Sequence, residues 1–160
     1  MPKRIHKIQG ISLGTASSNT RYGKKEDSLL VTLPQESILS GKFTSNKLKA
    51  APVKLAIEHL SNSKKEKKIL LINAGNANAA TGPKGLKDVR KYCREIAQDF
   101  KTSQESVIPF STGIIGEPLD TENYLSAFRE ASKSLSENKW KKAAEAILTT
   151  DTKPKIISKE

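Results

Sequence analysis

The sequence predicts a layered domain of mixed α/β (α+β) class, one unit over residues 1–160. Three observations carry this expectation. Apolar runs of strand length stand at Ser28–Leu33 and at residues 69–72. Apolar residues recur at helical spacing elsewhere, most clearly through Leu86, Val89, Cys93, Ile96, Ala97 and Phe100. The two patterns alternate along the chain, as they do where helices pack on a sheet.

Residues 8–14 read as a strand or an extended lead-in, and residues 19–25 as a polar loop. Ser28–Leu33 reads as a buried strand, stopped by Pro34 because proline cannot donate to a ladder. Residues 37–45 alternate weakly and read as its hairpin partner, bulged at Gly41. Residues 46–51 form a small-residue loop, and Pro52 suits the first turn of a helix. Val53, Ala56, Ile57 and Leu60 give that helix an apolar face. It ends in Ser61-Asn62-Ser63 and a lysine cluster at 64–68.

The run Ile69-Leu70-Leu71-Ile72 fits a central strand covered on both sides. Residues 73–82 follow it, with three asparagines alternating with small residues. Either they cap the turn into the next helix, or they line a polar site. A helix is expected from about 83 to 101. Val107-Ile108-Pro109 then leads as a strand into Phe110-Ser111-Thr112-Gly113-Ile114-Ile115-Gly116-Glu117-Pro118. Asp120 or Thr121 caps a helix carrying Leu125, Phe128, Ala131 and Leu135. Trp140, Ala143, Ala144, Ile147 and Leu148 mark another. The polar stretch 149–155 precedes Ile156-Ile157, which could start a strand.

The loop at 111–116 organises the chemistry. Gly113 and Gly116 permit positive φ and let bare N–H groups approach a ligand. The Thr112 hydroxyl beside the Gly113 amide is what an oxyanion needs, since preorganised donors stabilise developing negative charge. An ordinary strand-to-helix turn would use the same residues.

Composition bounds the remaining functions. Hydrophobic residues at 36% and charged residues at 28% describe a globular chain. No run approaches the ~18 apolar residues of a membrane span. The basic start lacks an apolar core, so no secretory signal is visible. Cys93 has no partner for an internal disulfide and falls on a helix's apolar face, which suits a reduced, cytoplasmic protein; a reactive thiol is the alternative. His6 and His59 lack ligand-spaced companions, so no metal site is expected. Gly-x-Ser-x-Gly, Walker A and dinucleotide fingerprints are missing.

The net charge of +11 raises a second reading, a non-catalytic basic module for RNA or other anions. The lysines are scattered, and no aromatic residues interleave with their densest cluster, so no stacking platform exists. Neither a nucleic-acid nor a membrane partner is expected.

Four segments, taken in order, carry a resemblance. Gly41-Lys42-Phe43-Thr44-Ser45-Asn46 with Ala50-Ala51-Pro52-Val53, the Asn73–Gly82 loop, Ser111-Thr112-Gly113-Ile114-Ile115-Gly116, and the helix ending in Thr149-Thr150-Asp151 are found here. Together they resemble the amino-terminal part of the bifunctional glutamate N-acetyltransferase (ornithine acetyltransferase) family of arginine biosynthesis. The resemblance implies a four-layer α/β/β/α sandwich made by a precursor that cuts itself before a threonine. That threonine then heads a second, β chain and carries acetyl from N-acetylornithine to glutamate. It implies Thr112 and Gly113 as the oxyanion pair and Thr149 as a substrate-binding residue. Thr150 is its neighbour, and Asn76 and Asn78 receive no catalytic role. No cofactor is implied, with acetyl-CoA the alternative acetyl donor. Ala80 stands where the family often has cysteine. The family's Ala-Lys-Gly segment, the cleavage site and the nucleophile do not occur within these 160 residues. The chain is therefore expected to be a first part, inactive alone and hetero-oligomeric when joined by the complementary chain.

Overall fold

The computed structural model describes residues 4–62 and 65–159. The start of the basic N-terminal run, Ser63 and the Lys64 member of the lysine cluster lie outside the described residues. The elements are β1 (Ser12–Ala16), β2 (Ser28–Leu33), α1 (Ala51–Ser61), β3 (Lys68–Asn76), α2 (Gly82–Asp99), β4 (Val107–Ile114), α3 (Thr121–Ser132) and α4 (Trp140–Ala146). A single 3₁₀ turn, Gln104–Ser106, precedes β4. The mixed α/β class expected from the sequence is the one observed.

The strands form one sheet in the order β1-β2-β3-β4. β1–β2 and β2–β3 are antiparallel. β3 and β4 run parallel, with α2 in the connection between them. Parallel strands need such a crossover because a short turn cannot return the chain to the same end of the sheet.

The main core lies between the sheet and α1, α2 and α3. Leu30, Ile69, Leu71 and Val107 meet Leu55, Val89, Ile96, Leu125 and Phe128 there. Tyr92 and Phe128 are buried with ring centroids 5.5 Å apart and planes tilted by 58°. Burying Phe128 fully contributes about 1.5–3 kcal/mol. Asp120 caps α3 by accepting the Asn123 N–H at 3.3 Å. The opposite sheet face is apolar too, through Leu13, Leu29, Val31 and Leu33, but only Ala143 and Trp140 of α4 and flanking segments cover it. A groove of about 830 Å³ stands there, lined by Leu29, Val31, Leu70, Trp140, Ile156 and Ile157 among others.

Several expectations are corrected. Residues 37–45 form no strand, and Ile38 is almost fully exposed. The hairpin partner of β2 is β1, which starts later than the 8–14 reading and runs to Ala16. The buried face of α1 is Leu55, Ala56 and His59, flanked by half-buried Val53, Ile57 and Leu60. His59 is buried because its Nδ1 donates to the Val107 carbonyl at 2.7 Å. The first four residues of 73–82 and the stretch Phe110–Ile114 belong to strands, because each supplies the other's ladder partners. Ile156-Ile157 forms no strand.

Cys93 is buried against Val89, and burial pushes its thiol well above the usual range. Burial thus disfavours the thiolate that a reactive cysteine needs. Among the described residues no helix is long and apolar enough to cross a membrane, and no group of three or more His, Cys, Asp or Glu is placed to hold a metal ion.

Glu66 fastens the α2–β4 connection to the start of β3. Its Oε2 accepts from the Ser103 N–H at 2.9 Å, Thr102 Oγ1 at 3.1 Å and Ser106 Oγ at 3.2 Å. These bonds, from Ser103 first, hold its pKa at about 2 against an ordinary 4.5. A depressed carboxyl pKa stabilises the fold above the unfolded value and loses that contribution as pH falls through the folded one. Stability should therefore drop between about pH 4.5 and pH 2. Urea melts across that window should show a shallower drop for Glu66→Gln. Parallel pH profiles for the two proteins would remove Glu66 from the account.

Candidate active site

Ala16, Ser28, Asn73 and Ser111 align in one row across the sheet. The chain beyond this row is rich in small and polar residues. It comprises the β1–β2 loop, the end of β3 and the end of β4. The last two are the carboxyl ends of the parallel pair, where ligands bind in open α/β sheets.

The asparagines of 73–82 are spent on scaffolding. Asn73 is buried; it accepts from Ser111 Oγ at 2.6 Å and donates to the Asn76 carbonyl at 2.7 Å. Asn76 Nδ2 donates to the carbonyls of Glu117 and Pro118 at 3.2 and 3.0 Å, and its Oδ1 accepts the Asn78 N–H at 2.7 Å. Asn78, with φ +45°, donates to the Gly85 carbonyl at 3.0 Å and accepts from Thr81 Oγ1 at 2.7 Å. Two backbone bonds, Ala77 N–H to the Ile114 carbonyl and Gly116 N–H to the Ala79 carbonyl, each 2.9 Å, complete the join. The loop leads into α2, as the first reading has it, and its asparagines brace the 111–118 loop.

Thr112 and Gly113 pair in register with Ala74 and Gly75. Ser111 points toward the helices, where it meets Asn73, so alternation along the strand turns Thr112 to the opposite face. Thr112 is half-buried, and its hydroxyl makes no hydrogen bond among the described residues. Gly113 is exposed with φ +137°, and Gly75 has φ +107°. A Cβ on Gly113 would stand 2.2 Å from the Gly75 carbonyl carbon. Glycine is required there because the two backbones touch.

Thr149 follows α4, which packs on the same sheet face that Thr112 adjoins. Lys25 of the β1–β2 loop donates to the Leu148 carbonyl at 2.9 Å and lies 4.7 Å over the Tyr22 ring. Tyr22 in turn stands beside Gly75. Lys25 and Tyr22 thus lie between Leu148, the residue before Thr149, and Gly75, the register partner of Gly113, and Thr149 itself makes no hydrogen bond to the Thr112–Gly113 pair among the described residues. Thr150 is exposed. A second cavity, about 700 Å³, lies to the side and is lined by Leu48, Ala79, Pro83, Leu86 and Ile115 among others.

Sequence reading missed Asp27, Ser18 and Tyr124. Asp27 is buried and accepts from the Ser18 N–H at 2.8 Å, Ser18 Oγ at 2.6 Å and Ser28 Oγ at 3.1 Å. Tyr124 is buried and donates to the Ala74 carbonyl at 2.9 Å. Burial raises its pKa, so the phenol keeps the proton it donates. A polar loop and a mid-helix tyrosine gave no signal of this contact.

The sheet, its three covering helices and the joined polar loops make a layered α/β protein with its polar loops at one end of the sheet. The crystal structure of ornithine acetyltransferase complexed with ornithine from Mycobacterium tuberculosis superposes with a TM-score of 0.83 at 27% identity, over 90% of this chain and 78% of that one. The arginine biosynthesis bifunctional protein ArgJ of Bacillus halodurans gives 0.80 at 27% identity, over 93% and 81%. A model of the ArgJ family matches residues 12–160, and this chain belongs to that family. Among curated relatives, the arginine biosynthesis bifunctional protein ArgJ of Methylococcus capsulatus is 43% identical over 95% of this chain. That of Colwellia psychrerythraea is 38% identical over 99%. The chain spans 36% and 39% of these two relatives' lengths.

Proposed function

We propose that this chain supplies the oxyanion hole of an acetyltransferase that moves acetyl from N-acetylornithine to glutamate in arginine biosynthesis. The observation that carries the reading is the uncommitted Thr112 hydroxyl beside the exposed Gly113 backbone, at the carboxyl end of the parallel strand pair. Thr112 Oγ1–H and Gly113 N–H donate to the carbonyl oxygen of the acetyl group as it gains charge. The attacking threonine belongs to a complementary β chain. Its hydroxyl adds to the acetyl carbon and ornithine leaves as the amine. The glutamate amine then takes the acetyl group and restores the hydroxyl. Thr149 contacts substrate in this reading. Lys25 supplies positive charge suited to the substrates' carboxylates, while Arg21, beside Gly75, lies 3.8 Å from Glu117.

Support for a complementary chain comes from the thinly covered sheet face. Phe110 is 44% exposed there, and the groove beside Trp140 is mostly apolar. A second sheet laid on this face would complete the four layers. The two chains together form the hetero-oligomer, with no cofactor beyond an acetyl donor and acetyl-CoA as the alternative donor.

The test is acetyl transfer measured with and without the complement. The chain alone, given N-acetylornithine and glutamate, should form no N-acetylglutamate. Co-expression with a polypeptide matching the rest of the Methylococcus relative should restore formation. Robust activity of the chain alone would overturn the assignment of the nucleophile. A folded pair that stays silent with both substrates would overturn the function.

A further inference from the structure

We infer that Tyr124 and Asp27 are positioning residues that clamp Ala74 through its N–H and its carbonyl and thereby aim the Gly113 amide. The inference rests on the oxyanion reading of Thr112 and Gly113 and names what holds that pair in place. Ala74 is gripped on both sides. Its N–H donates to the Asp27 carbonyl at 2.7 Å, and its carbonyl accepts the Tyr124 hydroxyl at 2.9 Å.

The next residue is Gly75, which has a strained φ for any side chain and makes backbone contact with Gly113. The Tyr124 oxygen would stand 3.4 Å from a Cβ on Gly75. A displacement of the Ala74–Gly75 peptide would therefore pass directly to Gly113. The β3–β4 pairing cannot absorb it, because the two glycines touch.

The clamp has a fixed foundation. The Asp27 carboxylate is 1% exposed and takes three hydrogen bonds, two from Ser18 and one from Ser28. Ser18 Oγ lies 2.7 Å from Thr20 Oγ1, and Thr20 Oγ1 lies 3.4 Å from the Tyr124 oxygen. A buried carboxylate is costly unless its lone pairs are satisfied, and these bonds satisfy them. The relay thus ties the β1–β2 loop, the end of β3 and α3 together at one residue, Ala74.

Tyr124→Phe tests this directly, since it keeps the buried ring and removes the hydroxyl. Ser18→Ala breaks the far end of the relay and leaves the core around Tyr124 intact. In ¹H–¹⁵N spectra of the chain, both variants should move the Gly75 and Gly113 amide resonances while those of α2 stay in place. In the complemented enzyme, Tyr124→Phe should lower kcat roughly tenfold, the effect of one neutral hydrogen bond, with KM unchanged. A purely structural role would lower the melting temperature and leave kcat of the folded enzyme as it was. Glycine resonances that stay put in both variants would overturn the clamp, whatever the activity. So would an unchanged kcat in Tyr124→Phe alongside a damaged Thr112→Val. If the unsubstituted pair transfers no acetyl, the proposed function fails, and the resonances alone decide the clamp.

Discussion

Gly113→Ala is expected to destabilise the chain by at least about 3 kcal/mol, through a strained φ and an overpacked contact acting together. The added methyl would stand 2.2 Å from the Gly75 carbonyl carbon and 2.5 Å from the Asn76 nitrogen, both backbone atoms. Backbone cannot rotate out of the way as a side chain can, so either β4 leaves β3 or the Asn76 turn opens. For a chain of this length the melting temperature should fall on the order of 10 °C. Gly116→Ala is the matched control. Gly116 also has positive φ, +86°, but nothing stands within 4 Å of its would-be Cβ. It should lose only the smaller cost of placing alanine at positive φ. Equal melting temperatures for the two variants would mean that the Gly75–Gly113 contact is not made.

This contrast also shows what the sequence could and could not disclose. Both glycines read alike as turn formers, because positive φ is a local property. That one of them lies against another strand depends on parallel register, which no local pattern encodes. The same reason hid the strand character of residues 73–76 and 111–114. Asparagine, glycine and serine are poor strand formers, and only the partner strand holds them extended.

β2 was legible to the residue, because a continuous apolar run ends at Pro34. Its hairpin partner was misread. Residues 37–45 carry Ile38, Leu39 and Phe43 in rough alternation, yet they pair with no strand: Leu39 packs against the apolar sheet face while Ile38 stands exposed. Ser12–Ala16 has weaker strand chemistry, but α3 packs on it so closely that a Cβ at Gly14 would meet the Ala131 carbonyl oxygen at 2.0 Å. Tertiary packing overrode propensity. On α1, the expected face passed over Leu55 and His59, and the hydrogen bond of His59 to β4 could not be seen in the sequence.

Thr112 and Gly113 were legible as a hydroxyl and an amide in one loop, and Thr149 only through resemblance. That Thr112 and Gly113 stand at the carboxyl end of the parallel pair follows from the fold.

Thr112→Val is expected to cost roughly 10²–10³ in the acetyl-transfer rate of the complemented enzyme, as loss of one oxyanion donor does elsewhere. Valine keeps the β-branched shape that a strand accepts, and the native hydroxyl has no partner among the described residues to lose. Stability should therefore stay within about 0.5 kcal/mol. That separates this variant from Gly113→Ala, where rate and stability fall together. The loss should appear in kcat with KM nearly constant, because the bond forms to an oxygen that is charged only in the transition state. Thr112→Ser keeps the donor and should retain most of the rate, provided the hydroxyl can reach the rotamer that the methyl group now enforces. A full rate in Thr112→Val would remove the hydroxyl from the mechanism and leave the Gly113 amide as the only donor this chain contributes. A loss confined to KM would instead make Thr112 a contact to the resting substrate, uniform in its binding and without effect on the barrier.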